Sequence, residues 1–378
     1  MKPNIEKVRF VHDPDLDNTV QYWGFFAPKE IRLATVEGSL LMLDVDFGRQ
    51  CSLHCHGCFR RNNVVDDGKP DLSYEELMRV IDGACLLGLK SVKICGAGEP
   101  TEDSRLLKFA KDLTDRDVGM AIFTKGHVIG NDQHVARIFG SAGVSDGPTL
   151  CKHLAELKTS VLLSYPSFDD GLLCSLVGDG TGSYPAKLKR AAELLANAGF
   201  NQTRPTRLAF VHAPMTQRSI AGAFDVYKFT RESNILPVLA FHMVSGEQID
   251  DEFLRNNDPT EGQKLELFCK VLEYNFQHGI QTPQQVMESG PSCMPGIQPC
   301  NQIAVGLYVT ANGNVVRCPG DCGQPLGNVR EISIAEIWEK ARVWRWSGKC
   351  NVGCPYKDNA TIPKTAYEDM LTYARLWH

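Results

Sequence analysis

Short apolar runs rich in β-branched residues alternate with longer segments of helical periodicity along most of the chain. The runs "SVKIC" (91–95) and "SVLLSY" (160–165) are typical, because each is too short for a helix and has the composition of a buried strand. The pattern predicts six buried strands, at 40–46, 91–95, 118–124, 160–165, 206–212 and 236–244.

Helical patterns occupy the segments between these strands. Ser73 and Glu76 have the spacing of a capping box, and apolar residues follow at helical intervals from Leu77. Strand and helix alternate six times, which predicts a parallel sheet with right-handed crossovers. Periodicity alone leaves a doubly wound sheet and a partly closed barrel both open. The other predicted helices are at 104–114, 184–198, 219–232 and 262–278.

The pattern changes after about residue 285. The segment "MESGPSCMPGIQPC" is rich in Gly, Pro and Ser, and "ANGN" between two β-branched runs predicts a hairpin, followed by a helix at 333–345. We therefore expect an N-terminal segment (1–37), an α/β domain (38–285) and a small metal-bearing C-terminal domain (286–378). Six of the fourteen cysteines fall in this last part: Cys293, Cys300, Cys318, Cys322, Cys350 and Cys354.

Charge and cysteine content narrow the classes of function. The chain has 40 Lys and Arg against 45 Asp and Glu, so it lacks the basic surface expected for binding nucleic acid or an anionic membrane. No apolar stretch approaches about eighteen residues, and the start lacks the apolar core of a signal peptide. We expect a soluble cytoplasmic protein. In a reducing cytosol, clustered cysteines are metal ligands or catalytic groups more often than disulfides, although oxidised pairs are the alternative.

Three cysteines follow the first predicted strand with the spacing C-x3-C-x2-C: Cys51, Cys55 and Cys58. The carboxyl end of a strand is where α/β barrels carry their chemistry. Three thiolates on a four-iron, four-sulfur cluster leave one iron without a protein ligand, and that iron is free to bind a small molecule. The alternative is a zinc knuckle completed by His54 or His56.

The triplet together with "GAGEP" (96–100), at the end of the second strand, resembles the radical S-adenosylmethionine (SAM) enzymes. These have a partial (β/α)6 barrel of TIM type, and their GGEP segment brings backbone groups to the methionine part of SAM. The resemblance implies that Cys51, Cys55 and Cys58 hold a [4Fe–4S] cluster whose open iron binds SAM. It also implies reductive cleavage to a 5′-deoxyadenosyl radical, a one-electron reductant such as flavodoxin or ferredoxin, and hydrogen abstraction from a small-molecule substrate.

Further cofactor contacts follow from the same resemblance. An aromatic residue often precedes the third cysteine in this family; here Gly57 does, and Phe59 follows. The segment "FTKG" (123–126) is similar to the family's TNG segment, with Lys125 in place of Asn. Thr124 and Ser164 lie near strand ends and are either cofactor contacts or ordinary strand-end hydroxyls. The predicted cofactor contacts are Phe59, Gly96, Ala97, Gly98, Glu99, Thr124 and Ser164.

The C-terminal part resembles the twitch extension, the short relative of the SPASM domain. Its hairpin ends at a cysteine, and the resemblance implies an auxiliary [4Fe–4S] cluster bound by Cys300, Cys318, Cys350 and Cys354. A full SPASM pattern has seven cysteines and two clusters, so six cysteines favour one auxiliary cluster. Cys293 and Cys322 are then spare. Cys293 is predicted either to be a catalytic thiol that donates hydrogen to a substrate radical or to be an auxiliary ligand.

The resemblance leaves several reactions open. Relatives with one auxiliary cluster include an inosamine dehydrogenase, and others epimerise sugars or crosslink peptides. Some forty residues precede the first strand, fewer than a typical peptide-binding domain has. We therefore expect a small polar substrate of sugar or aminocyclitol type, and either epimerisation or dehydrogenation. The alternatives are a peptide maturase and a non-catalytic iron–sulfur or zinc scaffold.

Overall fold

The computed structural model describes residues 2–8, 13–23, 26, 28–60, 68–241, 251–292, 301–321, 324–345 and 364–376. Its strands are β1 (Met42–Asp46), β2 (Ser91–Gly96), β3 (Gly119–Thr124), β4 (Thr159–Ser164), β5 (Leu208–His212), β6 (Leu236–Leu239), β7 (Gly306–Val309), β8 (Asn314–Val316) and β9 (Gly327–Asn328). The helices in chain order are α1 (Pro14–Asp17), α2 (Pro28–Glu37), α3 (Tyr74–Cys85), α4 (Leu106–Thr114), α5 (Asp132–Phe139), α6 (Gly147–Glu156), α7 (Asp170–Val177), α8 (Tyr184–Asn197), α9 (Ala223–Glu232), α10 (Asp251–Asn257), α11 (Glu261–Gln277), α12 (Pro283–Ser289), α13 (Asn301–Val305), α14 (Ile334–Arg345) and α15 (Lys364–Leu376).

The first six strands pair in parallel in the order of the chain, from β1 to β6. Helices connect them, so the α/β prediction is confirmed and the architecture is a partial (β/α)6 barrel. All six predicted strands are present. The sixth ends at Leu239 rather than continuing, because Ala240 and Phe241 leave the strand and their carbonyls accept from the amide of Met215. Positions 242–244 of that predicted strand lie outside the described residues.

The helices cover one face of the sheet, and the capping box at the start of α3 is confirmed. The amide of Glu76 donates to Ser73 Oγ (3.1 Å), and the amide of Ser73 donates to Glu76 Oε2 (2.7 Å). Strand residues such as Val45 and Ile94 pack with apolar residues of α3 and α4 in the main hydrophobic core. None of the described helices is both long enough and apolar enough to cross a membrane.

The opposite face of the sheet, here called the inner face, has two chemically different halves. On β3 to β6 it carries an apolar cluster, called the apolar half: Ala121, Leu162, Ala209, Val211, Leu236 and Val238. On β1, β2 and β7 it carries polar and charged residues, called the polar half: Asp44, Asp46, Lys93, Cys95 and Tyr308. Strand register places Tyr308, Asp44, Lys93 and Ala121 side by side in one row across four strands.

The predicted C-terminal hairpin is confirmed and extends the barrel sheet. Strand β7 pairs in parallel with β1, and β8 pairs antiparallel with β7. The turn uses Gly313 at φ +85°, a conformation that residues with a Cβ rarely adopt. Helix α14 matches the helix predicted at 333–345. The domain boundary at 285/286 stays a prediction, and α12 spans it.

Candidate active site

The loop that carries the three cysteines, residues 47–60 and here called the triplet loop, lies against the "GAGEP" turn. The amide of Phe47 donates to the Gly96 carbonyl (3.3 Å), and the amide of Glu99 donates to the Gln50 carbonyl (2.8 Å). A Cβ on Gly98 would be only 2.3 Å from that Gln50 carbonyl oxygen. Glycine is therefore required at position 98, because any side chain would push the two loops apart.

The middle of the triplet loop is held by the end of α7. The amide of His54 donates to the Val177 carbonyl (3.1 Å), and that of His56 to the Leu176 carbonyl (3.0 Å). Gly178 ends the helix at φ +68°, where a Cβ would be 2.8 Å from the His54 carbonyl oxygen. Both histidines thus have structural roles through their backbones, and both residues are exposed.

Glu102 holds the start of the triplet loop. Its Oε1 accepts from the Ser52 amide (2.9 Å), the Ser52 hydroxyl (2.5 Å) and His127 Nε2 (2.8 Å). Burial alone would raise the pKa of Glu102, but the hydrogen bonds from His127 and Ser52 bring it down to about 2. Glu102 is therefore an anion that fixes the residue next to Cys51. The sequence interpretation missed it, although it lies two residues after the "GAGEP" segment.

The three cysteines of the triplet lie on one loop and differ in exposure. Cys51 is exposed, and Cys55 and Cys58 are half-buried. A zinc knuckle gathers four ligands around one ion. In the part of the chain that the structure describes, no three His, Cys, Asp or Glu side chains are grouped closely enough to share an ion. In a four-iron cube each thiolate binds a different iron, so three cysteines of one loop would leave one iron open.

Glu99 connects the ends of β2 and β3. Its carboxylate is buried and accepts from Thr124 Oγ1 (2.5 Å) and from the amide of Lys125 (2.8 Å). Lys125 Nζ in turn donates to Ser164 Oγ (2.9 Å), at the end of β4. The predicted contact residues on three neighbouring strand ends are thus brought into one hydrogen-bonded network. The binding of SAM by Glu99, Thr124 and Ser164 stays a prediction.

The predicted auxiliary ligands are mostly beyond the described part of the chain. Cys318 follows β8, is buried, and packs with Met42 of β1 and Val305 of α13. Its carbonyl accepts from the amide of Asp321 (3.0 Å). The other cysteines assigned to the C-terminal part lie outside the described residues: Cys293, Cys300, Cys322, Cys350 and Cys354.

A buried network joins the barrel to the hairpin in the polar half. Asp46 accepts from Arg60 Nη2 (2.5 Å), from the amide of Ala311 (3.1 Å) and from the Tyr308 hydroxyl. Burial raises the pKa of Asp46, and Arg60 and Tyr308 oppose that rise. Beside this network, Lys93 Nζ lies 3.0 Å from Asp44 Oδ1.

Comparison with known proteins supports the family resemblance of the C-terminal part. The sequence model of the SPASM family, described as an iron–sulfur cluster-binding domain, matches residues 300–356. That match covers the segment in which four of the C-terminal cysteines were read as cluster ligands, and it lies on the same chain as the triplet after β1. These findings support the resemblance of the chain to the radical SAM superfamily. A radical SAM protein with a SPASM domain has SAM, a [4Fe–4S] cluster and auxiliary iron–sulfur binding as its cofactors.

The curated relatives match a limited part of this chain. The probable GTP 3′,8-cyclase of Pyrococcus horikoshii is 32% identical over 84 residues, which are 22% of this chain and 26% of the relative. The enzyme of the same name from Pyrococcus abyssi is 30% identical over 84 residues, with the same coverage. The chain therefore spans about a quarter of the length of these relatives.

Among solved structures, SuiB of Streptococcus suis has a TM-score of 0.52 at 17% identity, over 82% of this chain and 68% of SuiB. At that identity the likeness establishes the fold alone. BtrN covers 85% of this chain and 91% of its own at 14% identity, but its TM-score of 0.36 is too low to support an argument.

Proposed function

We propose that this radical SAM protein abstracts a hydrogen atom from an unactivated C–H bond of a small polar molecule of sugar or aminocyclitol type. Epimerisation or dehydrogenation would follow. The observation that carries the substrate class is the polar half of the inner face, which lies at the strand ends from which the triplet loop and the "GAGEP" turn emerge.

Burying charged residues inside a barrel costs free energy of folding, so their presence calls for an explanation other than stability. Asp44 and Asp46 are almost fully buried, and burial raises the pKa of each carboxyl group. Replacing buried ion pairs with apolar residues is often neutral or stabilising, so stability alone does not explain why they are present. Hydroxyl and amino groups of a sugar or aminocyclitol would be matched by such carboxylate and ammonium groups.

The residues of the chain divide the work around the cofactors. SAM on the reduced cluster supplies a 5′-deoxyadenosyl radical, which removes hydrogen atoms from carbon. Cys51, Cys55 and Cys58 would hold that cluster, and Glu102 would keep their loop in place. The backbone of the "GAGEP" turn would bind the methionine part of SAM. The apolar half of the inner face would exclude water. A flavodoxin or ferredoxin would deliver the electron.

The fate of the substrate radical distinguishes the two reactions. In an epimerisation, a thiol donates a hydrogen atom to the opposite face of the radical, and Cys293 is the predicted donor. In a dehydrogenation, a base would instead take a proton from the radical, and an auxiliary cluster would supply the acceptor for its electron. Cys300, Cys318, Cys350 and Cys354 would bind that cluster, and Cys293 is the alternative ligand.

The experiment is anaerobic reconstitution with SAM and dithionite, with 5′-deoxyadenosine measured by mass spectrometry. Wild-type protein should form it. The triple variant Cys51→Ala, Cys55→Ala, Cys58→Ala should not, while retaining the iron of the auxiliary cluster. The matched control replaces Cys85 and Cys269, two half-buried helical thiols, and should keep the activity. Product from the triple variant, or none from wild type, would contradict the proposal.

A second arm of the same experiment tests the substrate class. Sugars and aminocyclitols deuterated on carbon are added, and deuterium transfer into 5′-deoxyadenosine identifies the molecule from which the radical abstracts. Transfer from a peptide library and from no member of the small-molecule panel would favour a peptide maturase instead.

A further inference from the structure

A small cavity opens where the barrel meets the C-terminal hairpin. It has a volume of about 140 Å³ and is here called the hairpin cleft. Its walls come from the end of β1, the triplet loop, the "GAGEP" turn and the turn between β7 and β8. The lining residues are Asp46, Arg49, Arg60, Ala97, Thr310, Ala311 and Asn312.

Arg60 is the main polar group of this cleft, and its bonding is incomplete. Its side chain is only 6% exposed, and Nη2 donates to Asp46. Nε and Nη1 are buried and have no hydrogen-bond partner among the residues that the structure describes. A buried donor without an acceptor costs about 1–3 kcal/mol, and more when the group is charged. Two such donors on one guanidinium leave hydrogen-bonding capacity that the described residues do not satisfy.

The surroundings of Arg60 keep it charged and fixed in place. Its guanidinium lies over the Tyr308 ring, 5.1 Å from the centroid. Asp46 accepts from only one of the Arg60 nitrogens, and its other partners are Tyr308 and the amide of Ala311. Arg49 adds a second guanidinium to the lining, although its Nε pairs with Asp71 (2.6 Å). With two arginines and one aspartate, the lining carries a net positive charge.

We propose that the hairpin cleft binds an anionic group of the substrate, a carboxylate or a phosphate, with Arg60 as its main partner. The inference rests on the proposed function and narrows its substrate class to sugars or cyclitols that carry an acidic group. Guanidinium N–H donors match carboxylate and phosphate oxygens in geometry and charge. Pockets for whole drug-sized ligands have about 300–1,000 Å³, so this cleft holds one group of the substrate.

The carboxylate of SAM has the same chemistry and lies on the same side of the barrel, so the experiment must separate the two sources. Reconstituted enzyme is titrated calorimetrically with glucose 6-phosphate and glucuronate as anionic probes, and with glucose and myo-inositol as neutral ones. We expect each anionic probe to bind at least ten-fold more tightly than its neutral counterpart.

Three variants test whether Arg60 provides that preference. Arg60→Gln removes the charge but keeps an amide donor for Asp46, and the preference for anions should disappear. Arg60→Lys keeps a positive charge beside Asp46, so this variant is expected to fold. It should weaken the binding of anionic probes about three- to ten-fold. Arg79→Gln, at an exposed position of α3, is the matched control and should bind like wild type.

Three other outcomes of these titrations would overturn the inference. Equal binding of anionic and neutral probes by wild type would do so, as would a preference that persists in Arg60→Gln. If the variants raise the KM for SAM ten-fold and leave probe binding intact, the cleft belongs to the cofactor. Failure of the proposed function would appear separately, as absence of 5′-deoxyadenosine from the wild-type preparation.

Discussion

The two halves of the inner face have the same backbone geometry and opposite chemistry. The apolar half, on β3 to β6, packs alanine, leucine and valine side chains against one another. The polar half, on β1, β2 and β7, carries two carboxylates, a lysine, a thiol and a phenol in adjacent rows. The apolar half is what a buried parallel sheet normally contains, because its strands read as continuous apolar runs. The polar half departs from that norm where the hairpin joins the sheet.

The difference shows which half depends on distant parts of the chain. Asp46 obtains its partners from Arg60, fourteen positions away, and from Tyr308, 262 positions away. Burial raises the pKa of Tyr308 well above its usual range, and Asp46 reinforces that rise. The thiol of Cys95 has its pKa raised by burial and by Asp44 in the same way, so it is protonated at neutral pH. The polar half is therefore stable only when β7 completes it.

Removing Asp46 should have the largest effect on stability. Asp46→Ala leaves a buried guanidinium and a buried phenol without their acceptor, and breaking a buried pair costs about 3–5 kcal/mol. The melting temperature should fall by roughly 4–6 °C, measured by circular dichroism. Asp225→Ala, which removes an exposed partner of Lys228, is the control and should change it by about 1 °C or less. A fall of less than about 2 °C in the melting temperature of Asp46→Ala would contradict the prediction, because it would mean that water replaces Asp46 as the partner of Arg60 and Tyr308.

Removing Glu102 should weaken the triplet site with less effect on the fold. Glu102→Ala frees Ser52 and His127, so the loop with Cys51 loses its anchor. Losing a group that orients a metal ligand typically costs about 10–100-fold in affinity, and iron should therefore leave the protein at least ten-fold faster with a chelator. Glu266→Ala, at an exposed position, provides the baseline rate. Equal rates of iron loss in the two variants would show that Glu102 does not stabilise the cluster site.

The smallest effect is expected where the hairpin segment docks on α3. Arg330 Nε lies 2.7 Å from Glu76 Oε1, and its hydrogen bond lowers the pKa of Glu76 to about 2. Arg330→Met should cost about 1 kcal/mol or less at neutral pH, because the pair is partly exposed.

That cost should depend on pH in a defined direction. A carboxyl with a depressed pKa stabilises the fold above its unfolded pKa, near 4.5, and loses that contribution as pH falls towards 2. The difference in urea midpoint between wild type and Arg330→Met should therefore narrow below pH 4.5. A difference that stays constant down to pH 3 would show that the Arg330 bonds to the Pro70 and Asp71 carbonyls dominate.

The individual strands of the sheet, the capping box and the hairpin turn could all be predicted because each depends on residues close in sequence. The pairing of β7 with β1 could not, since hydrophobic alternation does not say which strand edge receives a hairpin. The charged residues within the run "LLMLDVD" were an available signal: Asp44 and Asp46 in a buried strand require partners. The sequence does not reveal those partners, because Arg60 and Tyr308 reach Asp46 only through the folded chain.

The most direct test of the account is whether SAM binds the cluster of the triplet loop. Reduced protein is mixed with SAM labelled with ¹⁷O in its carboxylate and examined by electron–nuclear double resonance. We expect ¹⁷O coupling to the cluster in wild type and in the double variant Cys85→Ala, Cys269→Ala. It predicts none in Cys51→Ala, Cys55→Ala, Cys58→Ala. Absence of coupling in wild type that contains both clusters, or its persistence in the triple variant, would contradict the assignment of the open iron to Cys51, Cys55 and Cys58.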